Sequence, residues 1–250
     1  NTYFLDTLNI NLYLGWNLIS SNVIPNEADM NFVFNEISSD VVYIRNNNNQ
    51  RCFPQYAINE IGNWNINDAY WVFSVDENNL NITGKRIETT NYSINLSSGW
   101  TLLPYWLNFN QDCEITFKDI KDNLLIAKDL YGNLYIPSYN FNTLKTITPG
   151  MGLQCYFKDN TTLIFDDTTK SNEEKIPPVF NENLMGNCTS FSAVIIANIV
   201  GYDGYSVAAY NSQDQMVGIG TAKNDYAIFT VWGEDYLTHN LHGALINELL

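Results

Sequence analysis

Hydrophobic positions along the first part of the chain come in short runs with one helical interlude. Leu12 to Ser20 has the apolar and aromatic character of a strand, and Gly15 just before Trp16 marks a bulge or tight bend. Pro25-Asn26-Glu27 punctuates the chain. Met30, Val33, Phe34 and Ile37 then follow at the i, i+3, i+4, i+7 spacing of a single buried helical stripe, with Asn26 or Asp29 as its N-cap. Val41 to Arg45 is short and apolar enough for a buried strand. The polar turn Asn46 to Asn49 sends it into a hairpin with Cys52-Phe53. Tyr70 to Val75 and Leu80 to Thr83 predict two further strands around the turn Asp76 to Asn79.

The pattern then comes round again. Ile10 to Leu18 (INLYLGWNL) returns as Ile94 to Leu102 (INLSSGWTL), at an offset of 94 − 10 = 84 residues. Further on, Met30, Phe34 and Ile37 fall on Cys113, Phe117 and Ile120, and Pro54, Tyr56 and Asn59 fall on Pro137, Tyr139 and Asn142. Trp71-Val-Phe73 falls on Gln154-Cys-Tyr156. Self-similarity of this kind predicts two copies of one structural unit. In the second copy Asp129 to Asn133 makes the hairpin turn, Leu153 to Phe157 a strand, and Leu163 to Phe165 the closing strand.

Beyond Phe165 the composition changes. Asp166 to Pro178 (DDTTKSNEEKIPP) is polar and charged and ends in two prolines, which reads as a linker. The apolar runs after it are Phe191 to Val200, Tyr205 to Tyr210, Met216 to Thr221 and Tyr226 to Trp232, with a turn at Asn211 to Gln215. Short strands between Gly and Asn/Asp turns predict a small β-sandwich. The predicted architecture is mainly β: two tandem strand-rich repeats (1–87 and 88–165), each with one short helix, a linker (166–178), and a sandwich domain (179–250). With its start at Asn1 and its apolar end at Leu249-Leu250, the chain reads as a piece of something longer.

Charge narrows the partners. Twelve basic residues against 27 acidic ones give a net charge of −15, which disfavours nucleic acid and anionic membrane surfaces as partners. No apolar run approaches the roughly 18 residues of a membrane-spanning helix. Cys52, Cys113 and Cys155 fall on Tyr135, Met30 and Val72 of the other copy, so these thiols read as buried and free; Cys188 lies outside the repeats. His239 and His242 stand three apart near Glu234 and Asp235, but no third ligand is spaced to close a metal site, and they read as polar surface. Asp203-Gly204 and Asp166-Asp167 lack the spaced ligands of a calcium loop, so no cofactor is predicted and calcium has no motif behind it. Acidic residues are too many to single out a pair for glycoside hydrolysis. Asn-x-Ser/Thr sequons stand at Asn81, Asn91, Asn95, Asn160 and Asn187.

Aromatic residues are the most informative candidates. Trp16 and Trp100 occupy equivalent places in the two copies and are assigned to core. Trp106, in Pro104-Tyr105-Trp106, has no Trp equivalent in the first copy and is the predicted exposed anchor, with Tyr105 and Tyr139 as companions. Core packing is the competing reading.

The succession GWNLIS (Gly15 to Ser20), a capped helix, a hairpin, YWVFS (Tyr70 to Ser74) and NLNITG (Asn79 to Gly84), followed by a second copy, resembles a module found in tandem in large secreted or surface proteins. The carriers are marine and Bacteroidetes-type bacteria and environmental viruses. Tyr205-Ser-Val-Ala-Ala-Tyr210 and Val217-Gly218 are similar to a β-domain that neighbours it there. The resemblance implies an extracellular, cell-surface or virion-surface setting and carries no catalytic motif. The function expected is therefore a non-enzymatic binding or adhesion module for a glycan or protein partner, working beside other domains of a longer chain. A structural virion component, such as a fibre or vertex protein, is the alternative, and a carboxylate-based glycoside hydrolase the third possibility.

Overall fold

The structure, a computed structural model, describes residues 5–89, 93–169 and 190–233. They form two compact units. The first takes the described residues up to 169 apart from Tyr131–Asn133, and the second contains 190–233. The protein is mainly β, as the hydrophobic pattern predicts.

In the first half of the first unit the strands are β1 (Asp6–Leu12), β2 (Gly15–Ile19), β3 (Val23–Pro25), β4 (Val41–Arg45), β5 (Arg51–Phe53), β6 (Ile58–Asn59), β7 (Tyr70–Ser74) and β8 (Asn78–Arg86), with a short helix α1 (Met30–Val33) after β3. They make an antiparallel sheet in the order β2-β7-β4-β5-β6 and a three-stranded one in the order β1-β8-β3. The predicted continuous strand from Leu12 to Ser20 is broken at Gly15. Its φ of 94° is a left-handed value that glycine adopts at little cost, so the chain leaves one sheet there and enters the other. The stripe of Met30, Phe34 and Ile37 is buried as predicted, but it rides on four α-helical residues followed by a 3-10 turn, Asn35–Ile37. Asp29 is the N-cap, accepting the backbone N–H of Asn31 at 2.9 Å.

The second half contains β9 (Ile94–Leu96), β10 (Gly99–Pro104), β11 (Gln111–Asp112), helix α2 (Cys113–Thr116), β12 (Leu124–Lys128), β13 (Leu134–Ile136), β14 (Phe141–Asn142), β15 (Thr146–Ile147), β16 (Gly152–Phe157) and β17 (Thr161–Leu163). Its large sheet runs β10-β16-β12-β13-β14, the order of the first half. Corresponding details agree. Gly99 has the φ of Gly15, and Asp112 caps α2 as Asp29 caps α1. Ala57 and Asn140 are both left-handed after a 3-10 turn. A bulge between Val41 and Tyr43 has its counterpart between Leu124 and Ile126. Each half buries its own core, around Phe34, Tyr70 and Val72 in the first and Phe117, Leu153 and Phe157 in the second, and Ile66 packs against both.

Polar contacts fasten the halves. Ser20 donates its backbone N–H to Gly150 O at 2.9 Å and its hydroxyl to Met151 O at 2.6 Å, and accepts the N–H of Tyr105 at 3.0 Å. The approach is close: a Cβ on Gly152 would lie 2.9 Å from that of Ala69 and 3.0 Å from Ile19 O. The opening residues of the predicted linker belong to this unit, since the carboxylate of Asp166 accepts from Lys118 at 2.6 Å and Gln111 donates to the carbonyls of Asp166 and Thr169. The rest of the linker lies outside the described residues.

The second unit places strands on all four predicted runs: β18 (Ser192–Asn198), β19 (Ser206–Tyr210), β20 (Met216–Lys223) and β21 (Tyr226–Trp232). They form one antiparallel sheet in the order β18-β21-β20-β19, with Val217, Ala227, Phe229 and Val231 at its apolar centre. A second sheet, which the predicted sandwich needs, is not among the described residues.

Candidate functional site

Two predictions about tryptophan reverse. Trp106 is not an exposed anchor: it is 1% exposed, and its indole N–H donates to Ile66 O at 2.7 Å. Tyr105 is equally buried, with its hydroxyl donating to Phe109 O at 2.8 Å, and burial raises its pKa. Both rings fill the second-half core against Phe165, and the polar atom of each finds a backbone acceptor there. The signal was the unbroken apolar run from Leu102 to Leu107, which suits burial on both faces. Tyr139 is 43% exposed, in a turn at the β13–β14 end of the large sheet.

Trp100, assigned to core, is 54% exposed. On the equivalent strand of the first half, Trp16 is 6% exposed and surrounded by Tyr43, Trp71 and Phe73 at ring-centroid distances of 5.8, 5.9 and 5.3 Å. The second half keeps one of those neighbours, since Tyr156 stands for Phe73 and packs edge-on to Trp100 at 5.2 Å. Gln154 stands for Trp71 and Ile126 for Tyr43. With that cover gone the indole is open to solvent. The misfit was legible where Trp71-Val-Phe73 aligns with Gln154-Cys-Tyr156.

The surface around Trp100 has a defined construction. Lys128, on β12 beyond β16, is 2% exposed with its ammonium 6.0 Å from the indole centroid, and Leu125 of the same strand is 37% exposed. Strand β10 is an edge strand, yet it is held: Asn47 of the first half accepts the Leu102 N–H at 3.0 Å and donates to Thr101 Oγ1 at 2.7 Å. The backbone N–H of Asn47 in turn reaches the carboxylate of Asp68, which is 7% exposed and whose pKa burial pushes up to about 6. Trp100 is thus presented on a strand held by β16 on one side and by Asn47 on the other, with Tyr156 beside it on β16. Tyr139 lies at the opposite edge of the same sheet, so it and Trp100 do not form one surface.

Cys52, Cys113 and Cys155 are free and buried. Desolvation pushes the Cys52 thiol up to about 12 and the other two higher, so none is a ready nucleophile. Among the described residues no group of three His, Cys, Asp or Glu side chains could hold a metal ion. No described helix is long and apolar enough to cross a membrane. Cys188, His239 and His242 lie outside the described residues. What the fold and this surface define is a mainly β protein that presents an exposed indole on a braced edge strand, flanked by a tyrosine of the adjacent strand. No family model, curated protein or solved structure matches the chain.

Proposed function

We propose that the protein is a non-enzymatic binding module that recognises a glycan or protein partner through Trp100 and Tyr156. The observation that carries this reading is the exposure of Trp100 at a position where the fold can bury a tryptophan and, at Trp16, does. An indole face is negatively polarised. It attracts the positively polarised C–H groups of a sugar ring or an aliphatic side chain, while Tyr156, packed edge-on to the indole, borders the contact. Bracing by Asn47 lowers the ordering cost of binding. The resemblance of the repeats to surface modules supports an extracellular, cell-surface or virion-surface setting.

The test is an array of glycans and peptides probed with the protein and its Trp100→Ala variant, with and without calcium. Saturable binding that the substitution abolishes is the expected result. Binding that Trp100→Ala leaves intact, or no binding by the parent protein, overturns the reading.

A further inference from the structure

The β1–β8 pair carries a feature that neither the fold nor the Trp100 surface uses. Its inward face is ordinary: Ile10, Leu12, Leu80 and Ile82 are buried. On the outward face Thr7 stands opposite Thr83, Asn9 opposite Asn81, and Asn11 opposite Asn79, and all six are exposed. The two threonine hydroxyls meet at 2.9 Å.

Asparagine is among the residues least suited to strands, because its short amide competes for local backbone groups and packs poorly on a pleated surface. Four of the five asparagines in the two paired strands stand on one face, in two directly opposed pairs, and break a local rule with no gain to the core. Such departures are expected where a surface has another task. The chemistry presented is specific. Strand geometry repeats the side chains about 7 Å apart along each strand and about 5 Å across the pair. Each amide offers two donors and an acceptor, each threonine a hydroxyl, and none of the six carries charge in a chain of net charge −15. An acidic ligand would meet repulsion from the molecule as a whole, and a cationic one would find no carboxylate in the ladder. An extended, uncharged chain of hydroxyl groups, which both donate and accept, is the ligand that matches.

We propose that the outward face of β1 and β8 is a second ligand surface that takes a neutral polysaccharide chain lying along the strands. It does not depend on the Trp100 surface, which belongs to a different sheet.

The test is affinity electrophoresis of the whole chain in native gels containing a soluble β-glucan, a galactomannan or starch, with hyaluronan as the acidic control. Asn9→Thr with Asn81→Thr removes two amides while improving strand propensity, so loss of binding cannot be put down to misfolding. Retardation by at least one neutral polysaccharide and not by hyaluronan is expected. It should weaken about tenfold in the double variant, the loss expected from two hydrogen-bonding groups, and persist in Trp100→Ala. The proposal is overturned if no neutral polysaccharide retards the protein, if hyaluronan alone does, or if the double variant binds as the parent does. Retardation lost only in Trp100→Ala would overturn it too, while leaving the Trp100 surface standing.

Discussion

Trp16 and Trp100 occupy the same step of the same edge strand in two sheets of identical order, and they end in opposite environments. In the first half Trp16 is sealed by three rings of its own sheet face. In the second the partners that would seal Trp100 have become Gln154 and Ile126. A shared scaffold therefore fixes where a side chain stands but not what covers it. Cover is decided by cross-strand neighbours, which are distant in sequence. The seam between the halves shows the same asymmetry: Asn47 and Asp68 brace the second half, while an offset of 83 residues places Leu130 and Met151 at their equivalents.

The largest effect should separate the two tryptophans. Trp16→Ala removes a buried ring and is expected to cost about 3–5 kcal/mol, whereas Trp100→Ala should cost about 1 kcal/mol or less. Urea unfolding of the two variants checks this, and equal losses would break the comparison. Next comes Asp68, whose folded-state pKa of about 6 stands above the ordinary 3.8. Above about 6 the buried carboxylate is charged and folding bears its desolvation. As pH falls from about 6 toward about 4 the folded state takes up the proton first, so stability should rise by ~1–3 kcal/mol. Asp68→Asn should flatten that rise and stabilise the protein at neutral pH, as thermal unfolding across the range will record. Smaller again is Asn47→Ala, which deletes two side-chain hydrogen bonds to β10 and should cost about 1–2 kcal/mol. Amide exchange at Leu102 should accelerate in the same variant. Smallest is Asn9→Thr with Asn81→Thr, expected to stabilise by a few tenths of a kcal/mol per site on strand propensity alone. A loss of stability would mean that the asparagine ladder has a structural role after all.

Much of the fold is legible in the sequence. Strand runs, the buried stripe of Met30, Phe34 and Ile37, the hairpin turns and the four strands of 190–233 follow from period and turn chemistry, which are local. What sequence pattern misplaces is sheet membership and exposure. Gly15 reads as a bend, but that it passes the chain from one sheet to another depends on pairing with β8 and β7, far along the chain. Trp106 lacks a counterpart in the first copy, which suggested surface function. Its apolar neighbours, with a backbone acceptor at Ile66 O, decide for the core. Trp100 has a conspicuous counterpart, which suggested core. The change from Trp71 to Gln154 carried the opposite message, but it could be weighed only once β16 was known to lie beside β10.

The most direct test of this contrast is fluorine NMR of the chain labelled with 5-fluorotryptophan, with resonances assigned by single Trp→Phe substitutions and compared in H2O and D2O. A large solvent isotope shift is expected at Trp100 and little or none at Trp16, Trp71 and Trp106. A protected Trp100 beside a solvent-sensitive Trp106 would contradict it and return the anchor to the Pro104-Tyr105-Trp106 segment.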